Sequence, residues 1–505
     1  LIGAEGTLAY IAEAELSTIP DLPYKSTAML YFDDIAKACD AIPTLININC
    51  KAIELMDYAS LMAIKDLEGA PTLLQNINTG ACALLVELQE SSKETLDKTE
   101  KKALSTLQQL PLLTEIFFTQ DPKEQYKLWK LRKGLFPAVG AIRARGTTVI
   151  LEDLAFPVRQ LADAIKDCQR LFQKYHYHNA IIFGHAKDGN IHFVITQSFQ
   201  KQEDVERYDA FMKEIVDLVV AKYNGALKAE HGTGRNMAPF VETEWGGDAY
   251  QFMLKIKTLC DPKNILNPGV IINKNPKAHL ENIKQMPQVE DVVDKCIECG
   301  YCEAKCPSKD LTLSPRRRIV ARRELQLLKN DSTSYNTLLQ QYQFSGLDTC
   351  AVDGLCASEC PVDINTGELV KQLRAENHNK IQNKVANWVA SNFATVQNGI
   401  KIILTLGNVF AKVIGHNTLT KTTHCLQKLN KNIPVWNYKF YINTHPYKLK
   451  NENVDKEKPM LVYFPSCINR VFNSHEHGDK SLTETFVDVA HKAGYQVIVP
   501  NEINN

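Results

Sequence analysis

Residues 180–197 read AIIFGHAKDGNIHFVITQ, two apolar runs on either side of a Lys-Asp-Gly-Asn tetrapeptide. An Asp-Gly pair between strand-like runs is a strong hairpin signal, so the stretch is read as two antiparallel strands joined by a tight turn. His185 and His192 then stand near the turn on opposite arms, facing the same side of the sheet. Further on, LKAEHGTGRN (227–236) places Glu230 and His231 ahead of Gly232 and Gly234, which let backbone approach a ligand closely. Two histidines and a carboxylate make a three-ligand site for a divalent cation with an open position, and His231 is left over as a base near its ordinary pKa. For each histidine the plainer alternative is a satisfied core or turn residue.

Outward from this hairpin, helical patterns such as DIAKACDAI (34–42) and KKALSTLQQL (101–110) mix with strand-like runs such as ACALLVELQ (81–89) and IHFVITQSF (191–199). The expected organisation is multi-domain α+β. Residues 1–22 form the end of one domain, with TLAYIAEAELSTIP (7–20) alternating like a strand; 23–275 form an antiparallel sheet with helices that carries the histidine pair. The polar stretch NKNPKAHLENIKQMPQVED (273–291) reads as a linker. Residues 276–385 form an all-helical module and 386–455 a helical connector, with no convincing strand between 291 and about 440. Residues 456–505 open an α/β domain: strand MLVYFP, a loop with Cys467, helix SLTETFVDVAHKAG, strand YQVIVP. Both ends read as cut from something larger, since the N-terminus has no initiator Met or signal core and a strand–helix–strand cannot bury both faces.

The chain's 505 residues, 44% hydrophobic and 23% charged, suffice for several cores. Lys+Arg and Asp+Glu both number 58, so nothing draws the chain as a whole to nucleic acid or anionic lipid, and no nucleic-acid role is expected. GIKIILTLGNVFAKVIG (399–415) is too short and, with Lys401 and Lys412, too charged to span a membrane; it reads as helical core packing, with peripheral membrane contact the alternative. The arginines at 316, 317, 318, 322 and 323 read as a solvated helix face, with docking of an acidic partner the alternative.

Of the 14 cysteines, seven crowd between 296 and 360, which in a large chain points to metal in a reducing compartment. A cytoplasmic location is therefore expected, or a peripheral one on the inner face of the membrane. CIECGYCEAKCP (296–307) has the C-x2-C-x2-C-x3-C-P spacing of dicluster ferredoxins, in which three thiolates wrap one cluster and the fourth reaches the other. CAVDGLCASECP (350–361) repeats it with Asp353 in the second cysteine's place. Crosswise, Cys296, Cys299, Cys302 and Cys360 hold one 4Fe-4S cluster, and Cys306, Cys350 and Cys356 hold the other, with Asp353 as a harder fourth ligand or an open corner that allows a 3Fe-4S form. Each Cys-Pro is expected to lead into a helix pointing away from its own run. Zinc sites explain four ligands at a time, not this paired pattern.

GAEGTLAYIAEAEL (3–16), GHAKDGNIHF (184–193), AEHGTGR (229–235) and DPKNILNPG (261–269) together resemble the C-terminal half of FAD-linked 2-hydroxyacid dehydrogenases, members of the vanillyl-alcohol-oxidase superfamily. The cysteine region resembles the fused iron-sulfur part of the bacterial D-lactate dehydrogenase type, and YFPSCINR around Cys467 resembles the start of the cysteine-rich domain of heterodisulfide-reductase-like subunits. The resemblance implies a fragment lacking most of the FAD-binding domain. It also implies His185, His192 and Glu230 as ligands of a divalent metal, usually zinc, and His231 as general base. Arg132 would lie near the substrate carboxylate, with Arg143 and Arg145 as weaker candidates that read more plainly as solvated helix residues. Gly6, Thr7 and Asn267 would contact FAD. The chain departs from the resemblance at Lys187, where many relatives carry glycine. The implied activity is oxidation of a D-2-hydroxyacid, D-lactate foremost, with electrons passing through both clusters to a quinone, cytochrome or soluble carrier. The alternatives are a glycolate, D-2-hydroxyglutarate or aromatic hydroxyacid dehydrogenase on the same scaffold, or an electron-transfer subunit with structural histidines.

Overall fold

A computed structural model describes residues 2–67, 69–431, 433–437, 441–442, 459–473 and 480–498, which form two compact units, Leu1–Arg374 and Ala375–Asn505. The first unit is built on a six-stranded sheet: β1 (Tyr24–Phe32), β2 (Ala52–Met56), β3 (Cys82–Glu90), β4 (Thr148–Ala155), β5 (Ile181–His185) and β6 (Asn190–Gln197). Their order is β1-β3-β2-β5-β6-β4, and every pair is antiparallel. The fold is thus α+β with an antiparallel sheet, as the hairpin requires.

Both faces of the sheet are covered, so the central strands read as nearly continuous apolar runs. On one face α1 (Ile35–Asn47), α3 (Lys93–Leu107), α6 (Leu161–Lys174) and α7 (Gln202–Val216) pack over Leu30, Leu84, Val86, Ile182 and Phe193. On the other, α2 (Tyr58–Ile64), α4 (Pro122–Lys133) and α5 (Leu135–Ile142) pack over Met56, Leu85, Phe183 and Val194. Each such large apolar side chain removed from water contributes about 1.5–3 kcal/mol. Local chemistry sets the helix starts: Asp34, Asp57, Ser92 and Asp121 each accept a backbone N–H from the first turn of the helix that follows.

The β5–β6 hairpin pairs Phe183 with His192. Its connection is a short 3-10 turn, Ala186–Asp188, closed by Gly189 at φ 68°. A side chain at 189 would put its Cβ 1.9 Å from Phe156 O, so the turn needs glycine on steric as well as conformational grounds.

Several expectations are corrected. Residues 9–23 carry no strand: Tyr10, Leu16 and Ile19 are largely exposed, and no described strand pairs with them, so alternation alone forms no ladder. The expected linker is not free chain either, because His279, Met286 and Val289 are buried and His279 Nε2 lies 2.9 Å from Asp209 Oδ1.

Beyond it, residues 292–376 are helices and turns, with no strand among the described residues, as expected. The two Cys-Pro steps run into turns rather than helices; the following helices begin at Pro315, capped by Ser314, and at Thr366. Arg318 and Arg323 are 1% and 3% exposed, and Arg322 and Arg316 pair with Glu290 and Glu303, which overturns the solvated-face reading for all of the run but Arg317. A charge run identifies charge, not its counter-ions, and here Glu298 and Glu303 lie in the first cysteine loop and Glu290 just before it.

In the second unit, helices span Lys380–Ser391, Phe393–Ile414 and His416–Leu429. Core packing was expected for 399–415, but Ile402, Ile403, Leu406, Val409, Phe410 and Val413 are all more than half exposed. Strands Met460–Val462 and Gln496–Ile498 pair in parallel around helix Leu482–Lys492, the expected α/β beginning. Residues 443–455 of the expected connector, and Val499 and Pro500 of the expected last strand, lie outside the described residues.

Candidate functional site

Because residues i and i+2 share a face, Phe183 and His185 on β5 and His192 on β6 point to the side covered by α2, α4 and α5. Glu54 on β2 is in register with His185, and Asp153 on β4 with His192. The result is a row of two histidines flanked by two buried carboxylates, Glu54 at 5% and Asp153 at 0% exposure.

His185 Nδ1 lies 2.7 Å from Glu54 Oε1, and its Nε2 lies 3.0 Å from Glu230 Oε1. His192 repeats the arrangement: Nδ1 is 3.3 Å from Asp153 Oδ1 and Nε2 is 3.2 Å from Glu230 Oε1. One nitrogen of each ring is therefore backed by a carboxylate while the other converges on a single oxygen, the arrangement that fixes tautomer and ring orientation in metal-ligating histidines. The donor atoms of His185, His192 and Glu230 all lie within 4.8 Å of one another.

Asp153, His192 and His231 form a second group as compact. Asp153, however, already accepts the backbone N–H groups of Ala229, Glu230 and His231 at 2.9, 2.7 and 2.9 Å and Asn190 Nδ2 at 2.6 Å. Burial alone would raise its pKa, but the adjacent His192 ring, these backbone groups and Asn190 outweigh burial and hold the carboxyl far below the usual range. With Asp153 so engaged, the first group is the better cation site.

The His231 ring stacks on His192 at 4.7 Å and 7°, with Nε2 3.7 Å from Glu230 Oε1. Burial pushes its pKa down, opposed by Asp153 and reinforced by His192, so at neutral pH the ring is in the form that accepts a proton. His185 moves the other way: its hydrogen bond to Glu54 raises its pKa against partial burial.

Arg132, on α4, is 9% exposed, donates through Nε to Glu54 Oε2 at 2.9 Å and lies over the Phe183 ring. It thus stands behind His185, linked through Glu54. Arg143 and Arg145 lie away from this site; Arg143 is buried rather than solvated, while Arg145 is exposed, in keeping with the solvated reading. Arg143 donates to the Asp294 and Cys296 carbonyls, and Arg145 pairs with Asp291 and Asp294 at 2.7 and 3.3 Å.

Sequence reading missed Glu54 and Asp153, which lie 131 and 39 residues from the histidines they face. The available signal was an acidic residue inside an apolar strand, AIELM at 52–56 and VILEDLA at 149–155, since a buried carboxylate must find a partner.

The loop carrying Glu230 and His231 is fastened at both ends. Glu152 pairs with Lys228 at 2.6 Å and accepts from Asn236 at 2.7 Å, while Glu5 accepts the N–H groups of Thr233 and Gly234. Asn267 Nδ2 donates to Glu5 O at 2.8 Å, and Lys257 Nζ joins Thr7 O to Asp261 and Leu266 O. Gly6, Thr7 and Asn267 therefore meet on one side of the His231 loop. Thr7 is 1% exposed and its hydroxyl has no hydrogen-bond partner, an unmet group of the kind a cofactor's polar atoms satisfy.

The two cysteine runs have matching backbones. Glu298 and Val352, then Gly300 and Gly354, all take positive φ at corresponding places. One hollow is lined by Cys296, Cys299, Cys302 and Cys360, and a second by Cys306, Cys350, Cys356 and Asp353. Asp353 occupies the place of Cys299, and its Oδ1 accepts the Leu355 N–H at 3.1 Å. Burial pushes the Cys296 thiol up to about 11 and Cys302 to about 12, so a cation entering this hollow must displace protons. Four thiols in one hollow, and three with a carboxylate in the other, suit iron-sulfur clusters.

The first cysteine loop is packed on the sheet domain. A Cβ built on Gly140 of α5 would lie 2.2 Å from Ile297 Cγ2. Gly140→Val is expected to cost about 1–3 kcal/mol through overpacking, read as a lower denaturant midpoint with unchanged m-value.

Comparison with known proteins agrees with this division. Residues 22–271 match the family model for FAD linked oxidases, C-terminal domain, and residues 292–364 that for the 4Fe-4S dicluster domain. The chain is 27% identical over 283 residues to glycolate oxidase subunit GlcD of Bacillus subtilis, covering 55% of this chain and 57% of the relative. To the mitochondrial D-lactate dehydrogenase [cytochrome] of Arabidopsis thaliana it is 29% identical over 280 residues, 54% of this chain and 46% of the relative. To D-2-hydroxyglutarate dehydrogenase of Haemophilus influenzae it is 26% identical over 442 residues, 72% of this chain and 42% of the relative. The chain spans about half the length of these relatives. Taken with the paired hollows and the antiparallel sheet, the matches show that this chain joins the C-terminal domain of an FAD linked oxidase to a 4Fe-4S dicluster domain.

Proposed function

We propose that the chain forms the substrate-binding and iron-sulfur portion of a dehydrogenase that oxidises a D-2-hydroxyacid, D-lactate foremost, to the 2-oxoacid and passes the electrons to a quinone, cytochrome or soluble carrier. The observation that carries this reading is the convergence of His185 and His192, each backed by a buried carboxylate, on Glu230 beside His231. When bound, FAD supplies a hydride acceptor, the clusters supply one-electron carriers and a divalent ion, zinc by its donor set, supplies Lewis acidity.

The chain's own residues then have separable roles. His185, His192 and Glu230 hold the ion, leaving an open position for the substrate hydroxyl and carboxylate. His231 takes the hydroxyl proton, aided by its depressed pKa. Glu54 and Asp153 orient the two ligating rings. Arg132 holds Glu54 and adds positive charge behind His185, favouring an anionic substrate. Gly6, Thr7 and Asn267 line the flavin side. The cysteines hold the clusters crosswise, with Asp353 at the fourth corner of the second.

Glu54→Gln is expected to weaken metal binding about 10–100-fold, measured by competition with a chromophoric chelator. Asp353→Cys is expected to change the EPR spectrum of one cluster; an unchanged spectrum with unchanged iron would count against ligation by Asp353.

A second reading takes D-2-hydroxyglutarate as substrate. It is favoured by the H. influenzae relative, whose match reaches 72% of the chain against 54–55% for the other two. Steady-state turnover of the flavin-loaded protein on D- and L-lactate, glycolate, D-2-hydroxyglutarate and an aromatic hydroxyacid decides between them. The highest kcat/KM is expected for D-lactate. No dye reduction by any of these acids, with flavin and clusters loaded, would leave the electron-transfer subunit standing. A cytoplasmic site of action, peripheral at the inner membrane face, belongs to this proposal; the exposed apolar side chains of helix Phe393–Ile414 bear only on the membrane contact.

A further inference from the structure

Arg318 is the largest fully buried side chain among the described residues, at 1% exposure, and it lines the hollow formed by Cys306, Cys350, Cys356 and Asp353. Its Nε donates to Gly346 O at 2.7 Å, one terminal nitrogen donates to Ser308 Oγ at 2.9 Å, and the other lies 3.8 Å from Cys306 Sγ. Ser308 Oγ is itself 3.3 Å from the same sulfur. No ion pair joins Arg318 to a carboxylate among the described residues. A guanidinium removed from water without a counter-charge carries a large desolvation penalty, which neutral carbonyl and hydroxyl oxygens only partly offset. Something anionic must face it, and the nearest atom able to carry that charge is a cysteine sulfur in thiolate form.

The other hollow differs. On the side of Cys296 the carboxylates are shared: Glu303 pairs with Arg316 and Arg317, Glu298 with Arg323 and Lys284, and Asp291 and Asp294 with Arg145, while buried Arg143 donates only to carbonyl oxygens. Most cations near the first hollow thus have a carboxylate partner. At the second, Arg374 adds another cation, donating to Leu347 O and to Cys350 O at 3.1 Å, again with no carboxylate ion pair among the described residues.

We propose that Arg318, a positioning residue rather than a ligand, is the built-in counter-ion of the cluster held by Cys306, Cys350 and Cys356 and raises the reduction potential of that cluster. The inference rests on the dicluster reading. A fixed positive charge in a dry site stabilises whichever state carries the extra electron, so an unbalanced arginine raises the reduction potential of the centre it faces.

The test is an EPR-monitored redox titration of the anaerobically purified holoprotein, with iron and acid-labile sulfide counted in parallel. In Arg318→Gln the midpoint of one cluster is expected to fall by a tenfold or larger change in its reduction equilibrium, about 59 mV for one electron, while the other stays put. Arg318→Lys, which keeps the charge, is expected to recover part of the shift. If R318Q loses the iron of one cluster, Arg374→Gln is read instead and is expected to lower the same midpoint. Unmoved midpoints, or equal shifts in both, with iron retained would overturn the proposal. Absence of iron and sulfide from the unmodified protein would instead sink the dicluster reading on which it rests.

Discussion

His231→Ala is expected to lower kcat for hydroxyacid oxidation by about 10²–10⁴-fold, the usual contribution of a positioned general base. Bound divalent metal should stay near its original stoichiometry, because the cation site needs His185, His192 and Glu230 and not His231. The loss should appear in kcat and kcat/KM together, since the proton moves only as the reaction proceeds. A fold loss that spares kcat and raises KM alone would place His231 in binding rather than proton transfer. Stopped-flow flavin reduction is the direct readout, because it isolates the half-reaction in which the proton leaves.

The second large effect is expected at Asp153. One buried carboxylate ties three successive backbone N–H groups of the Glu230–His231 loop and the Asn190 amide to the middle of β4, with His192 Nδ1 3.3 Å away. Asp153→Ala leaves those donors without an acceptor in a dry setting. At about 1–3 kcal/mol for each unsatisfied group, and allowing for water reaching some of them, a stability loss of about 3–5 kcal/mol follows. Asp153→Asn, which retains one carbonyl oxygen, should lose less. Denaturant unfolding measures the loss, and metal content should fall with it because both the His192 ring and the Glu230 backbone lose their anchor.

These two residues mark how far the sequence could be read. His231 was legible because the residues that place it are local: Glu230 and two glycines adjoin it, and His185 and His192 are joined by a turn that Asp-Gly signals. The two hollows group the cysteines crosswise, as the dicluster spacing implies, but that grouping joins two distant runs and rests on the known pattern rather than on local geometry. Asp153 and Glu54 were not legible, because their partners are set by strand order β2-β5-β6-β4, and pairing of distant strands leaves no mark on local spacing. The arginines failed in a parallel way. A run containing Arg316, Arg318 and Arg323 looks solvated until the loops that supply Glu303, Glu298 and the Cys306 sulfur are folded around it. Alternation at 7–20 misled because period two describes a strand's faces but supplies no neighbour to pair with.

The central claim is that the thiols between 296 and 360 hold clusters filled from an acid oxidised at the His185–His192–Glu230 site. Freeze-quench EPR of the flavin-loaded, anaerobically purified protein, taken after adding its best hydroxyacid substrate, tests this most directly. Reduced-cluster signals should grow in step with 2-oxoacid formation. Formation of 2-oxoacid with bleached flavin while both clusters remain oxidised would contradict the account.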